Sequence, residues 1–272
     1  MRDNLKLMCV LAHPDDESLG TGGTLAKYAA EGVETYLVTA TRGERGRFGD
    51  RKEQPTPAEV GRIREAELRE AAGELGLKEV AFLDYFDKDL DKADTAEAVS
   101  KIAGHLRRVR PQVVITFGLE GGYGHPDHIA ISQLATAAVV AAADANYSAP
   151  GPAHRVSKLY FMAWPRGKWD AYQAAFRKIA VEVDGSERRP APWEDWAITT
   201  VIDTAAHWPA VWRAICCHKT QLAMYGQLEH LSEDLHRRLW GSQEYCRVFS
   251  TVNGGREKET DLFAGLRVMQ AD

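Results

Sequence analysis

The 272-residue chain lacks most features that announce a location or a macromolecular partner. No apolar run approaches the roughly 18 residues of a membrane-spanning helix. Met1 to Lys6 is polar and leads straight into an apolar run, so no secretory leader is read there and a cytoplasmic protein is expected. The four cysteines, Cys9, Cys216, Cys217 and Cys246, contain no Cys-x-x-Cys pair, which excludes a disulfide framework and a zinc ribbon. Basic excess is absent: the net charge is −5, so nucleic acid and anionic membrane are not expected as partners. A Gly-x-x-x-x-Gly-Lys-Ser/Thr phosphate loop is missing. Gly20, Gly22 and Gly23 fail the dinucleotide spacing, and Thr39-Ala40-Thr41 offers no carboxylate for a ribose; these glycines are read as close helix packing. Tryptophan is absent before residue 164, and all seven lie beyond residue 163.

What is present is a regular alternation. Leu5 to Ala12, Val33 to Ala40, Val80 to Leu83, Gln112 to Phe117 and Lys158 to Ala163 read as strands. Between them, Ser18 to Ala30, Ala58 to Leu77, Thr95 to Val109 and His128 to Ala143 read as helices, with Gly32 and Pro111 as stops. Such an order predicts right-handed crossovers and a mostly parallel sheet with helices on both faces, an α/β fold. Thr41 to Pro57 reads as a long charged loop, carrying Arg42, Arg45, Arg47 and Arg51 against Glu44, Asp50 and Glu53. Beyond residue 163 the pattern loosens into a smaller α/β extension. Trp169 to Ala180 and Ala205 to Leu222 read as helices, Ile198 to Ile202 as a strand, and Ser186 to Trp193 as polar and irregular. The reading is a core over 1–163 and an extension over 164–272 packed on it as one continuous domain, the tryptophans supplying the packing.

Two similar boxes sit in the core: Ala12-His13-Pro14-Asp15-Asp16-Glu17 and Gly124-His125-Pro126-Asp127-His128. Each follows an apolar strand and opens a helix, so both fall at the carboxyl edge of the sheet, where ligands of such folds bind. Acidic residues at a helix start also suit simple capping. Capping explains neither His13, whose cationic form a helix N-terminus disfavours, nor the second box. Two histidines and one aspartate suit catalytic zinc with one position left open, which selects His13, Asp16 and His128 as ligands. Asp15, between two ligands in sequence, is then placed as general base towards a metal-activated water. His125 and Asp127 remain, an imidazole held by a carboxylate, suited to stabilise a tetrahedral intermediate.

With these residues the chain resembles the LmbE-like (PIG-L) zinc-dependent N-acetylglucosaminyl deacetylases, both boxes matching the family's two motifs. The run Gly121-Gly122-Tyr123-Gly124-His125-Pro126-Asp127-His128 looks like the mycothiol-pathway deacetylase and S-conjugate amidase branch. Thr41-Arg42-Gly43-Glu44, Arg64 with Glu67, and His218-Lys219-Thr220-Gln221 extend the likeness. The resemblance implies a Rossmann-like fold that binds zinc rather than nucleotide, His13, Asp16 and His128 as ligands, Asp15 as base, and His125 oriented by Asp127. It implies Tyr123 near the oxyanion, against a plain loop contact, and Arg64 at the substrate, against an ion pair with Glu67 or Glu70. His218 and Gln221 are expected as a buried hydrogen-bonded pair. The implied reaction removes an acyl group, acetyl by preference, from the nitrogen of a small amino-sugar substrate, using Zn2+ or Fe2+. A hydratase or lyase on the same scaffold and a non-catalytic sugar-binding protein are the alternatives. Monomer and homo-oligomer are both left open.

Overall fold

A computed structural model describes residues 4–49, 53–176, 179–223, 225, 228–255 and 257–267. The alternating half contains β1 (Lys6–Leu11), α1 (Asp16–Ala30), β2 (Glu34–Thr39), α2 (Pro57–Glu74), β3 (Glu79–Phe82), α3 (Thr95–Val109) and β4 (Val113–Thr116). A short turn, α4 (Gly121–Gly124), then leads to α5 (Pro126–Ala143) and β5 (Lys158–Met162). The second half adds α6 (Arg166–Ala175), a small hairpin of β6 (Val181–Val183) and β7 (Ser186–Arg188), and then β8 (Thr200–Asp203). It ends with α7 (Trp208–Cys217), α8 (Lys219–Leu222), α9 (Glu233–Trp240) and β9 (Ser242–Ser250).

One seven-stranded sheet runs in the order β3-β2-β1-β4-β5-β9-β8. The first five strands are parallel, and β9 is antiparallel to both its neighbours. Strands covered on both faces must be apolar throughout, and β4 is buried at every residue. Helix α7 packs on α1 and α2, and α3 packs on α5. The order reverses between β1 and β4, which pair directly from Leu7↔Val113 to Cys9↔Ile115. Chain leaving β1 turns one way and chain leaving β4 the other, opening a crevice at their carboxyl ends. Both sequence boxes start there.

Local signals set the helix starts. Thr56 and Glu59 form a reciprocal capping box ahead of Pro57 at the first turn of α2. His125 caps α5, its Nδ1 accepting from the Asp127 N–H at 3.2 Å. The second half departs from expectation in three places. The segment Ala205 to Leu222 breaks at His218, whose φ of −78° and ψ of 58° leave the helical region. Ser186 to Trp193 contains β7 rather than irregular chain alone. Strand β9 joins the main sheet between β5 and β8, so strands from both sides of residue 163 share it. Trp169 and Trp240 do pack in a second apolar cluster with Tyr172, Val211 and Ile215, whereas Trp196 is 85% exposed.

Candidate active site

The turn after β1 is held by Asp16, whose Oδ2 accepts from the N–H groups of Ala12 at 3.2 Å and His13 at 2.7 Å. This folds the His13 ring back over Asp16. The crossover from β4 brings His128 alongside, with His13 Nδ1 and His128 Nε2 3.1 Å apart. Asp16 Oδ1 lies 3.4 Å from His128 Nε2, and its Oδ2 3.8 Å from His13 Nδ1. Thus the structure brings together the three residues expected as ligands.

The far side of each ring fixes its tautomer. His128 Nδ1 lies 3.2 Å from the Gly121 carbonyl, so it carries the proton and donates there. His13 Nε2 lies 3.0 Å from Asp127 Oδ2 and 3.2 Å from Asp87 Oδ1, so it too is a donor. Nδ1 of His13 and Nε2 of His128 are left facing one another, and two lone pairs in that position need a cation between them. Nitrogen ligands at about 2.0–2.1 Å from one tetrahedral ion stand about 3.3 Å apart, close to what is seen. The donor set therefore fits a divalent metal. Among the described residues the candidate donors form two overlapping groups, His13-His125-His128 and His13-Asp87-Asp127. The second meets His13 through Nε2, the side away from His128, and is outer support of the kind that orients a metal-bound imidazole. Asp127→Asn and Asp87→Asn are each expected to weaken metal binding about 10–100-fold in a chelator competition. Unchanged affinity in both would remove them from that role.

Electrostatics agree. Burial presses the His13 imidazole down, but Asp127, Asp87 and Asp16 overcome it and lift its pKa to about 10. Burial pushes Asp16 up to about 7, with His13 opposing and Asp15 adding. Burial and the His13 charge together hold His128 well below its ordinary value and bring His125 to about 4. Despite burial, His13 keeps the Asp87 carboxyl well below the usual range. Without metal, the cation of this site is a proton on His13 Nδ1, donated to His128.

Asp15 sits at φ 101°, a left-handed conformation that a non-glycine residue holds only when its surroundings enforce it. Its N–H donates to Glu17 Oε2 at 3.0 Å, and Glu17 Oε1 is tied to His218 Nε2 at 2.8 Å. Its Oδ2 accepts from the Tyr225 hydroxyl at 2.6 Å and from Arg64 Nη2 at 3.1 Å. Arg64 also donates to the carbonyls of Pro14 at 2.6 Å and Gly43 at 3.0 Å. A β-carbon at Gly43 or Gly46 would collide with the guanidinium, so the loop must be glycine where Arg64 passes.

Several expectations change. Arg64 is 4% exposed and braces Asp15; it neither lines the cavity nor pairs with Glu67 or Glu70. Glu67 binds Thr220, and Glu70 pairs with Lys219. The Asp127 carboxylate serves His13 and the N–H groups of Lys88 and Leu90, so it does not orient His125; only the Asp127 backbone N–H reaches that ring. The reason is helix geometry: at the first turn of α5 the side chain reaches across to the loop after β3. His218 and Gln221 are both buried, but their side chains bond Glu17 and the Arg47 carbonyl rather than each other. In the charged loop, Arg42 pairs with Glu65 and Asp84, and Arg45 with Asp89. Asp50 and Arg51 lie outside the described residues. Asp87 and Tyr225 were not anticipated. Asp87 had a signal, standing in Asp84-Tyr85-Phe86-Asp87 just past the end of a parallel strand at the same sheet edge; Tyr225 had none.

A cavity of about 300 Å3 opens over the site, its floor including Asp15, Asp16, Tyr123 and His128. The Tyr123 ring centroid lies 5.3 Å from that of His128 and 6.0 Å from that of His125. Burial, then Asp16 and Asp15, push its hydroxyl well above the ordinary tyrosine range, so it is a hydrogen-bond donor at neutral pH.

The sequence and the fold have counterparts in known proteins. The chain is 36% identical over 295 residues to a 1D-myo-inositol 2-acetamido-2-deoxy-alpha-D-glucopyranoside deacetylase of Streptomyces griseus, covering 96% of this chain and 89% of that one. The crystal structure of the conserved protein TT1542 from Thermus thermophilus superposes with a TM-score of 0.66 at 29% identity, covering 92% of this chain and 97% of that one. A 4-carboxy-2-hydroxymuconate hydratase from Pseudomonas putida shares the fold, with a TM-score of 0.69 at 23% identity over 92% of this chain and 99% of that one. Residues 8–139, which hold both boxes, match the family described as PIG-L, GlcNAc-PI de-N-acetylase. On its boxes, its sheet and its full-length relatives, the chain belongs to the PIG-L family.

Proposed function

We propose that this chain is a divalent-metal-dependent amide hydrolase that removes an acetyl group from the nitrogen of an N-acetylglucosamine-type substrate. The observation that carries the reading is the convergence of His13 Nδ1 with His128 Nε2 and Asp16, the latter two on the floor of a cavity that Asp15 also lines. His13, Asp16 and His128 would hold the ion, Zn2+ by the donor set with Fe2+ compatible. When bound, such an ion polarises the amide carbonyl and lowers the pKa of a water to about 7. The Asp15 carboxylate takes the proton of the attacking water, held in aim by Arg64, Tyr225 and Glu17. Tyr123 donates to the oxyanion. His125, neutral at pH 7 because burial and neighbouring positive charge depress it, acts as a hydrogen-bond donor. That leaves Asp15 to return the proton to the departing amine. The substrate is a small amino sugar, and the proposed location is the cytoplasm; among the described residues no helix is long and apolar enough to cross a membrane.

The test is acetate and free-amine release from N-acetylglucosaminides by Zn2+- and Fe2+-loaded protein. Equal molar release of both is expected. Hydration of an unsaturated acid without any acetate would replace this reading with the hydratase one, and glycoside binding without turnover would replace it with a binding protein.

A further inference from the structure

The cavity has two unlike sides. One holds Asp15, Asp16 and His128; the other is built by Met162, Trp164, Trp169, Tyr172, Phe176 and Ile179. The aromatic side is a column of faces. Trp164 stacks on Tyr172 with centroids 4.8 Å apart at 24°, and Tyr172 stacks on Phe176 at 5.2 Å and 6°. The Tyr172 hydroxyl is turned away, donating to the Leu19 carbonyl at 2.6 Å and accepting from Trp240 Nε1 at 2.9 Å. Tyr172, 3% exposed and stacked against both Trp164 and Phe176, therefore fixes that column and turns only carbon towards the cavity.

The polar groups in the lining are mostly committed. Gln221 Nε2 donates to the Arg47 carbonyl and to Thr220 Oγ1, the Tyr225 hydroxyl is held by Asp15, and Glu120 Oε1 accepts from Trp193 Nε1. Against this side a polyol would bury hydroxyls with few partners to replace water. The buried Trp169 Nε1 has no hydrogen-bond partner among the described residues.

We propose that this aromatic side is a specificity subsite for an apolar or aromatic group of the substrate, and that it disfavours a polyol there. The inference rests on the deacylase reading and sharpens its substrate class. The apolar group can be joined to the scissile amide through the acyl carbon or through the glycosidic oxygen, and the two are separable by experiment.

In one series the acyl group stays acetyl and the glycoside varies from inositol to methyl to phenyl or hexyl; in the other the glycoside stays methyl and the acyl grows from acetyl to hexanoyl. A gain in kcat/KM of about tenfold or more for the apolar member over the methyl glycoside, or over acetyl, is expected in one series. The series that gains identifies the point of attachment. Trp164→Ala and Phe176→Ala should bring that ratio towards one; because each ratio is internal to a variant, partial loss of folded protein cancels. Binding of phenyl N-acetylglucosaminide and of methyl N-hexanoylglucosaminide, each against methyl N-acetylglucosaminide, to metal-free protein, followed by tryptophan fluorescence, should show the same preference. That binding readout stands even if no acetate is released, so failure of the deacylase reading and failure of the subsite are distinguishable. No gain in either series together with equal binding, which includes a preference for the inositol glycoside without any gain in the acyl series, would overturn the subsite.

Discussion

Asp15→Asn is expected to give a folded, metal-loaded protein whose turnover is about 10²–10⁴-fold slower, the range associated with loss of a general base. Asparagine is the informative replacement for three structural reasons. It tolerates the left-handed backbone that Asp15 adopts at φ 101°. It keeps a carbonyl oxygen for the hydrogen bonds from Tyr225 and Arg64. It also leaves the His13, Asp16 and His128 donors untouched. What it removes is the capacity to accept a proton from water. Asp15→Ala removes the same capacity but adds other damage. The buried Arg64 would retain only the Pro14 and Gly43 carbonyls and lose its charge partner, and breaking a buried pair costs about 3–5 kcal/mol. Alanine at positive φ adds about 1–2 kcal/mol. The alanine variant should therefore lose the more thermal stability, since asparagine gives up the charge opposite Arg64 but keeps the hydrogen bonds and tolerates the backbone, while both lose activity. Metal content, melting temperature and acetate release measured on both variants check this, and a wild-type rate in Asp15→Asn would end the base assignment.

The parallel half of the sheet was readable because its strands are covered on both faces and hence spelled as apolar runs. Strands β1 to β5 and the helices between them fall within about three residues of the sequence reading. Strand β9 was not readable because its buried positions include polar residues. Gln243 accepts from the Thr24 N–H and donates to the Gly20 carbonyl, tying the strand to α1, and Glu244 pairs with the buried Lys168. Such residues look like surface in a sequence and are core only through partners far away along the chain. The site divides along the same line. His13, Asp15, Asp16 and His128 come together because they share the carboxyl edge at the β1–β4 reversal, which alternation and spacing reveal. The partners that aim them do not share a motif. Asp127 was visible, but its target was not, since a carboxylate at the first turn of a helix can reach several neighbouring loops. Tyr225 reaches Asp15 from after α8, a segment with no regular pattern to place it.

His128→Ala is expected to abolish stable metal retention, leaving far less than the about one ion per chain that a single mononuclear site predicts for the wild type. The loss should exceed the about 10–100-fold typical of an outer partner such as Asp127, because a donor atom itself disappears. His128 is buried and uncharged, stacked on Phe117 at 4.0 Å, so the variant loses packing but strands no buried charge. His13→Ala should lose metal equally, yet it also leaves the Asp127 and Asp87 carboxylates without their shared donor, so it should be the less stable of the two. The wild type supplies an independent check through pH. In the metal-free protein the His13 pKa is raised from 6.5 to about 10, so its contribution to stability is complete below 6.5 and is lost as pH rises through about 10. Metal must displace that proton, so apparent affinity should tighten about tenfold per pH unit between 7 and 10. Below about 7 Asp16 is protonated too, and the dependence should steepen towards a hundredfold per unit. His128 is already neutral and adds nothing to the slope. Chelator competition from pH 6 to 9 measures it, and an affinity independent of pH would show that the ion binds somewhere other than His13 and Asp16.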